Sequence, residues 1–509
     1  MFPFPFSFVG TSISALFNYS ASAYCQDATD PTPTITGTTG GTFTAALKVI
    51  PFKMKLSVIS GTEKTISLQN TGTSYTIDWG DGTVLTNQSG TVSHTYNPGN
   101  TGTTADPIVS IGSGSDSGPF TRMQSSGGNA NNPVLEVTQW GSVAWTTMAS
   151  MFSNNYNILI TATDSPDLTN CTSLSGMFSN AQNTAICTNG SMNNWNVSTI
   201  NDMSSVFNAA TGANPDISNW NVSNVTNFST MFAYAYGFNS DISGWNVSSG
   251  QNFSTMFAYA SVFTADIGNW NVSSATNTSS MFRSAGTSSN TTQNLSVKVV
   301  NSGQASQYLA WYTPLCQNFS NMFYSCQYGK TNTDFQNWNV SSATNTSNMF
   351  RSYTGFSATA NLTPKSVTLG GVTWNAWDTS SVTNFTYMFS NSNSFSLDVS
   401  GWNVSSATNL SYITAATSIN YIMDWTALNS SLTTMFYIFG GTSMSTNNYT
   451  DTIVHFANLV YNNSGTPNTV SMSSQVGMTF DGTRSATGNF TTAQDAFDYL
   501  TTTLSWTIN

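Results

Sequence analysis

The chain has 509 residues, of which only 6% are charged, and its formal net charge is −11. Nucleic-acid and anionic-membrane binding are disfavoured, because both need clustered Lys and Arg, and the 11 basic residues form no cluster. Hydrophobic residues make up 39% and aromatic residues 13%, which excludes a disordered chain and supplies a sizeable core.

Residues 1–45 are predicted to be an apolar arm and linker. Four phenylalanines alternate with Pro and Ser at the start: Phe2, Phe4, Phe6 and Phe8. Exposed apolar residues of this kind mark interaction sites. The small residues Ala21-Ser22-Ala23 are typical of a signal-peptide cleavage site, but the segment lacks a basic start. We therefore expect an arm that docks into an assembly partner, in preference to a cleaved signal peptide.

Residues 46–115 are predicted to form a β-sandwich. Tyr75 and Ile77 alternate with polar residues ahead of an Asp-Gly pair, which is a strong hairpin signal. The stretch resembles a PKD domain, an immunoglobulin-like sandwich, in these residues: Trp79, Gly80, Asp81, Gly82, Thr83, His94, Thr95 and Tyr96. That resemblance implies a structural role for His94. Residues 116–132 follow as a Gly- and Ser-rich linker.

From residue 133 to residue 440 the sequence repeats, at first every 25 residues. Tryptophans mark the units: Trp195, Trp220, Trp245, Trp270, Trp338 and Trp402. A Met-Phe pair recurs in step with them, starting at these methionines: Met151, Met177, Met231, Met256, Met281, Met322, Met349, Met388 and Met435. A period of 20–29 residues is typical of leucine-rich-repeat coils, so we predict a solenoid of about eleven coils.

Within one unit we predict a short helix followed by a short strand. Apolar residues at helical spacing come first: Phe228, Met231, Phe232 and Ala235. An alternating run follows: Phe238, Ile242, Trp245 and Val247. Neither element buries its apolar face alone, so stacked units share one core, and the fold class is mainly β with short helices. We assign the Met, Phe and Trp positions to that core and not to a cofactor site.

Two units are longer than the rest and carry extra aromatic residues. They span residues 283–318 and 351–383, and insertions in a solenoid often form loops on the binding face. Aromatic side chains are favoured anchors of recognition surfaces, so the predicted contact residues are Tyr308, Tyr312 and Trp374. Trp311 and Trp377 fit a buried position in a wider coil equally well. Residues 441–509 are predicted to be C-terminal repeats and a cap.

Acidic residues recur once per unit instead of forming a local pair: Asp216, Asp241, Asp266, Asp334 and Asp398. A glycosidase needs two carboxylates at one place, so this repetition argues against an enzyme. Stacked aspartates repel unless backbone N–H groups or a cation satisfy them. We favour hydrogen-bonded turns and expect no cofactor, with Asp216, Asp241 and Asp266 as weak calcium candidates.

The five cysteines are odd in number and include no Cys-X-X-Cys pair, so a metal site is not expected. Cys171 with Cys187, and Cys316 with Cys326, could form disulfides within single coils, or all could be buried thiols. Many Asn-X-Ser/Thr triplets are glycosylation acceptors in a eukaryotic host and otherwise simply turn residues. His455 is expected to be structural, and no catalytic triad is evident.

The repeats resemble the BspA-like leucine-rich-repeat surface proteins over roughly residues 133–509. The resemblance rests on Trp140-Gly141 with "VAWTTMASMF", on the recurring "DIS-WNVS-VTN-S-MF", and on the closing "AFDYLTTTLSWTIN". It implies display outside the cell or on virions, and adhesion without catalytic residues. Here Met, Phe and Trp replace many of the family's leucines.

Two classes of function remain. The favoured class is a non-enzymatic extracellular protein: a virion fibre, decoration or receptor-binding protein, with a bacterial adhesin as the alternative. The second class is an extracellular carbohydrate-active enzyme. We expect a homo-oligomer that joins its assembly through the arm and contacts a host glycan or surface protein. No apolar run approaches the ~20 residues that span a bilayer, so membrane insertion is not expected.

Overall fold

The computed structural model describes most of the chain after residue 49. The described residues are 50–56, 64–68, 73–90, 92–96, 107–112, 134–183, 186–187, 189–286, 294–326, 335–353, 361–392, 398–415, 417, 422–429, 432, 434–439, 442, 444–462, 470–472 and 479–508. The predicted arm, with Phe2, Phe4, Phe6 and Phe8, and the predicted linker at 116–132 lie outside these residues. In the described part the fold is mainly β with few helices.

The N-terminal part contains eight strands in the described residues: β1 (Phe52–Leu56), β2 (Lys64–Leu68), β3 (Thr73–Asp78), β4 (Val84–Ser89), β5 (Val92–Tyr96), β6 (Ile108–Ile111), β7 (Val134–Gln139) and β8 (Leu159–Ile160). Six of them form one sheet in the order β4-β3-β6-β1-β7-β8, and β2 pairs with β5 in an antiparallel ladder. Alternate side chains of β1 are fully buried, as expected for a strand with one face on the core.

The sheet continues from the N-terminal part into the repeats. β1 pairs antiparallel with β6 on one side and with β7 on the other, and β7 pairs in parallel with β8. Because β7 and β8 belong to the first repeat unit, the N-terminal part covers the start of the coils. At the junction, Ser142 N–H donates to Ile50 O at 2.8 Å, and Ile50 N–H donates to Ser142 Oγ at 2.9 Å.

Residues of the Trp-Gly-Asp-Gly-Thr and His-Thr-Tyr motifs meet in space. His94 stacks on Trp79 with ring centroids 4.9 Å apart, and its Nε2 lies 2.8 Å from Asp81 Oδ2. The Tyr96 hydroxyl donates to Trp79 O at 2.7 Å. Gly80 has a φ of +74°, and a side chain there would meet Ile108 O at 2.5 Å, so glycine is required. These contacts join the β3–β4 turn to β5.

The helix predicted for each repeat unit is wrong. Its residues form successive turns, because Thr230 and Tyr234 take left-handed backbone angles, with φ of 61° and 57°. Backbone N–H groups then alternate in direction. The Met231 N–H stays local and donates to Phe228 O at 3.2 Å. The Tyr234 N–H donates to Ala258 O of the next unit at 2.8 Å. A continuous helix would keep all these bonds local.

The strand predicted after the helix is also absent, although its apolar residues are buried as expected: Phe238, Ile242, Trp245 and Val247. Successive units instead join through a ladder of single parallel bridges, which runs through these residues: Ser173, Asp202, Asn227, Asn252, Asn277, Asn318, Asn345, Asn384 and Asn409. Each ladder Asn Oδ1 accepts the N–H two residues later, as at Asn252, where Ser254 N–H donates at 3.0 Å. One bridge per unit is too short to count as a strand.

Two aromatic stacks fill the core of the repeats. Phenylalanines follow one another with centroids 5.5–5.8 Å apart: Phe152, Phe178, Phe207, Phe232, Phe257, Phe282, Phe323, Phe350 and Phe389. Tryptophans stack beside them, as Trp245 does on Trp220. Seven of the buried indoles in the described residues donate to a carbonyl of the preceding unit: Trp220, Trp245, Trp270, Trp311, Trp338, Trp377 and Trp402. The assignment of these positions to the core is confirmed.

The longer units add hairpins without interrupting the ladder. The described elements between residues 191 and 428 are β9 (Lys298–Val300), β10 (Tyr308–Ala310), β11 (Lys365–Leu369), β12 (Val372–Ala376), β13 (Asn403–Val404) and β14 (Ala427–Leu428), with 3₁₀ turns at Ser191–Asn194 and Phe335–Asn337. The hairpins of the longer units are β9–β10 and β11–β12. β9 pairs antiparallel with β10 and β11 with β12, whereas β13 and β14 pair in parallel.

The C-terminal part contains the described helices, α1 (Thr446–Asn462) and α2 (Ala493–Asp498), the latter continued by a π-helical turn at Tyr499–Thr503. Strands β15 (Ser471–Met472) and β16 (Thr507–Ile508) pair in parallel. His455 lies on α1 with its Nε2 2.7 Å from Trp425 O. None of the described helices is both long and apolar enough to cross a membrane.

The described cysteines, Cys171, Cys187, Cys316 and Cys326, occur as thiols, and all but Cys187 are buried. Of the two alternatives, disulfides within coils or buried thiols, the structure therefore supports the second. Burial raises the pKa of the Cys316 thiol to about 11, so it stays protonated at neutral pH.

Candidate binding surface

The two hairpins of the longer units pack against each other. Gln307 Nε2 donates to Gly370 O at 3.0 Å, which links the β9–β10 hairpin to the turn between β11 and β12. That turn has two residues, Gly370 and Gly371, with φ of +57° and +83°, as a tight hairpin requires. A side chain on Gly370 would come within 3.3 Å of Val299 Cγ2. The two glycines therefore leave this turn without side chains where the β9–β10 hairpin packs against it.

The predicted contact residues hold the hairpins to the coils. The half-buried Tyr308 donates its hydroxyl to Asn269 O at 2.7 Å, and burial raises the pKa of this phenol. Tyr312 and Trp374 lie together, with ring centroids 5.0 Å apart. Trp374 is only 6% exposed, and its Nε1 donates to Asn337 O at 2.9 Å. It therefore presents little surface to a ligand.

Trp311 and Trp377 belong to the core, which resolves the alternatives for these two residues. Both are fully buried. Trp311 stacks with Trp338 at 6.2 Å, and Trp377 stacks with Trp402 at 5.7 Å. Each longer unit thus places its own tryptophan in the same stack as the regular units.

A polar depression lies beside the β11–β12 hairpin. Its volume is about 330 Å³, and its polar lining comes from two neighbouring units: Lys365, Ser366, Asn375, Asp378, Thr379 and Asn403. Lys365 is exposed on β11 and Asn375 is exposed on the adjacent strand β12. The buried Trp374, next to Asn375, anchors β12 to the repeat unit below. The Thr379 hydroxyl donates to Asn403 O at 2.8 Å, which ties the floor of the depression to the next unit.

The lining supplies both donors and acceptors. Lys365 Nζ donates to Gln336 Oε1 at 3.4 Å, which is a long hydrogen bond. Asp378 Oδ1 accepts the Ser380 N–H at 3.1 Å, and Asp378 is the single carboxylate among the lining residues. A cation, a carboxylate and amides can hydrogen-bond a ligand rich in hydroxyl groups.

The sequence alone does not predict that these residues lie together, because they belong to two different units. Lys365 and Asp378 flank the β11–β12 run, but Asn403 belongs to the next unit. The useful signal was the Gly370-Gly371 pair, which predicts a two-residue hairpin and brings Lys365 opposite Ala376.

The recurring aspartates are engaged in local turns. Oδ1 accepts the backbone N–H two residues later at Asp216, Asp241 and Asp266, at 3.1, 2.9 and 2.8 Å. Among the residues the structure describes, no cluster of three or more His, Cys, Asp or Glu could hold a metal ion.

We expect Asp241→Asn to melt like the parent at pH 7, equally in calcium and in chelator, because the amide oxygen still accepts the Ser243 N–H. The hydrogen bonds from Ser243 hold the pKa of Asp241 below its ordinary value. The parent's stabilisation is therefore present above about pH 3.9 and is lost as the pH falls through the folded-state pKa. Asp241→Ala is the control that removes the acceptor. A calcium-dependent melting temperature that Asp241→Asn abolishes would establish a cation site.

The family described as "Mycoplasma protein of unknown function, DUF285" matches residues 121–186, 172–297, 301–369 and 317–452, which is more than half of the chain. The chain belongs to the DUF285 family. The matches agree with the resemblance to BspA-like repeat surface proteins. No curated protein and no solved structure matches the chain.

The DUF285 matches overlap one another, as expected for copies of one unit, and they include β10, β11 and β12. Most of the candidate surface is therefore built from DUF285 repeats. Residues 46–115 precede the matched ranges, so the predicted PKD-like sandwich stays a prediction.

Proposed function

We propose that the protein is a non-enzymatic adhesion protein displayed outside the cell, whose repeats form a solenoid and whose hairpin surface binds host glycans. The observation that carries the proposal is the polar depression beside the β11–β12 hairpin. Its hydrogen-bond donors and acceptors come from two neighbouring units. The β9–β10 hairpin packs against the β11–β12 hairpin beside the depression and holds it in place. Asp378 and Asn403 accept turn N–H groups through Oδ1, as the recurring Asn and Asp residues of the regular units do. What the depression adds is the exposed Lys365 and Asn375.

Display on a virion is our preferred setting, with a bacterial cell surface as the alternative. The alternating phenylalanines of the predicted arm, residues 1–45, support attachment to an assembly. Sedimentation of native particles, with detection of the full chain, tests the setting. Co-migration with virions supports the first reading, and recovery in a cell-envelope fraction supports the second.

We expect the double variant Lys365→Ala/Asn375→Ala to bind immobilised host glycans at least about tenfold more weakly than the parent, because it loses two exposed hydrogen-bonding groups. Exposed substitutions usually change the free energy of unfolding by less than about 0.5 kcal/mol, so the melting temperature should hardly move. Surface plasmon resonance and thermal melting measure the two effects.

The matched control is Thr368→Ala/Thr373→Ala, which changes a cross-strand hydroxyl pair of the same hairpin outside the depression. It should bind like the parent. Tyr312→Ala/Trp374→Ala should lower the melting temperature, because Trp374 is buried. Parent-like binding by the Lys365/Asn375 variant would remove the depression from the proposal.

A further inference from the structure

Tyrosine and arginine side chains form a continuous row along the outside of the repeats, one per unit. We call it the tyrosine–arginine ladder: Tyr234, Tyr259, Arg283, Tyr324, Arg351, Tyr387 and Tyr412. The two ends are tyrosine pairs, with ring centroids 4.5 Å and 4.3 Å apart. In the middle, Tyr324 lies between two guanidinium groups, with Arg283 Cζ at 5.1 Å and Arg351 Cζ at 5.6 Å.

The stacking decides which parts of the ladder meet solvent. The ring of Tyr387 has Arg351 on one side and Tyr412 on the other, and Tyr259 is similarly placed between Tyr234 and Arg283. A ring covered on both faces presents its edge and hydroxyl. The ladder is therefore a row of phenol and guanidinium groups and offers few open aromatic faces for a ligand to stack on.

Backbone conformation shows that the tyrosines occupy demanding positions. Tyr234, Tyr259, Tyr387 and Tyr412 all have left-handed backbone angles, with φ between 57° and 61°. Bulky residues are uncommon in this region, where Asn and Gly are easier to accommodate. Every unit has left-handed positions in its turns, and most of them hold Ser, Thr or Asn, such as Ser284 and Asn391. The backbone of the repeats therefore does not itself need tyrosine at these positions.

The ladder also concentrates positive charge. The whole chain has 11 Lys and Arg residues and a net charge of −11, yet two arginines lie in this one row. Among the described residues, the ion pairs are His94 with Asp81 and Arg484 with Asp451, and neither involves Arg283 or Arg351. Apart from one bond from Arg351 Nη1 to Asn348 Oδ1 at 3.2 Å, the terminal nitrogens remain to meet an anion.

We propose that the tyrosine–arginine ladder binds a linear acidic polysaccharide that carries carboxylates at intervals. Arg283 and Arg351 are separated by one unit, so at the spacing of neighbouring strands they lie roughly 10 Å apart along the coil axis. Guanidinium groups recognise carboxylates, and phenol groups exchange hydrogen bonds with sugar hydroxyls. Sparse charges separated by hydroxyl groups on the protein match sparse carboxylates separated by hydroxyl groups on the polymer.

Other anionic partners fit less well. Nucleic acid carries about one charge per 1.7 Å of duplex, which two arginines on an acidic chain do not neutralise. An extended acidic peptide would need backbone groups to pair with. Here Tyr234 N–H and Tyr259 N–H already donate to Ala258 O and Arg283 O. The ladder thus lacks the free edge that peptide pairing requires.

The ladder proposal does not depend on the hairpin surface, since it uses different residues and a charged ligand. The probe is immobilised sodium hyaluronate, with carboxyl-reduced hyaluronate and poly-glutamate as comparators, and the full chain is the analyte. We expect the parent to bind hyaluronate in a salt-sensitive manner and to bind both comparators at least about tenfold more weakly.

Arg283→Gln/Arg351→Gln should weaken hyaluronate binding at least about tenfold and remove its salt sensitivity, whereas Arg283→Lys/Arg351→Lys should retain most of both. The charge-matched control is Lys53→Gln/Lys55→Gln, which removes two cations from β1, outside both the ladder and the depression, and should bind like the parent. If the glutamine variant unfolds, the lysine variant and the salt dependence of the parent still provide the test.

Equal binding of hyaluronate and its carboxyl-reduced form would overturn the proposal, as would parent-like binding by a folded glutamine variant. Loss of binding in the lysine-to-glutamine control would show that binding follows net charge instead of the ladder, and would so also contradict the proposal. Equal binding of poly-glutamate would assign the ladder to an acidic peptide and so also contradict the proposal.

Discussion

Phe257→Ala is expected to lower the free energy of unfolding by about 3–5 kcal/mol, the usual range for a buried phenylalanine. Phe257 is fully buried in the middle of the phenylalanine stack. Its ring lies 5.6 Å from Phe232 and 5.8 Å from Phe282, in the units before and after. The substitution therefore opens a cavity that interrupts contacts between three units, and stability in a repeat array depends on such neighbour contacts.

Denaturant unfolding followed by tryptophan fluorescence measures the effect. Val262→Ala is the matched control, because this side chain belongs to the same unit and is 41% exposed. Its change should stay within about 0.5 kcal/mol. A Phe257→Ala protein that unfolds at the parent's denaturant concentration would mean that the units do not support one another through this stack.

The period and the core of the repeats could be predicted, but the path of the backbone within a unit could not. The stripe from Phe228 to Ala235 has helical spacing, and its apolar side chains are buried. The same spacing of buried side chains arises when successive backbone N–H groups donate alternately to a carbonyl of their own turn and to a carbonyl of the next unit. Left-handed residues such as Thr230 produce this alternation. Most of them are not glycines, Gly176 being an exception, so the sequence carries no general marker for them.

The candidate surfaces were predictable only where one segment carries them. The sequence located the two longer units and their aromatic residues, but Trp374 turns inward because the hairpin needs an anchor on the coil. The tyrosine–arginine ladder was missed. Its members are neighbours only when units of unequal length are aligned, as with Arg283 and Tyr324, between which the β9–β10 hairpin is inserted.

Gly141→Ala is expected to lower the free energy of unfolding by about 2–5 kcal/mol at the junction between the N-terminal part and the first repeat unit. Gly141 has a φ of +69°, which costs about 1–2 kcal/mol for a residue with a side chain. A methyl group would also lie 2.3 Å from Ile50 O and 2.5 Å from Pro51 O. Relieving that overlap costs about a further 1–3 kcal/mol, because backbone atoms must move.

Moving the backbone to relieve this overlap would break specific contacts at the junction, so the expected loss of structure is local. Ile50 holds Ser142 through two hydrogen bonds, and the strand that follows it, β1, pairs with β7. Gly190→Ala separates the cost of the backbone angle from the cost of the overlap. Gly190 has a φ of +70°, and nothing lies within 4 Å of the added methyl group. It should lower stability by only about 1–2 kcal/mol.

Hydrogen–deuterium exchange distinguishes a local opening from a general loss of stability. In Gly141→Ala, amides of β1 and β7 should exchange faster than in the parent, while those of residues 226–282 should keep the parent's rates. Gly190→Ala should leave β1 and β7 protected. Equal exchange in β1 for both variants would show that the close approach at Gly141 contributes nothing beyond its backbone angle.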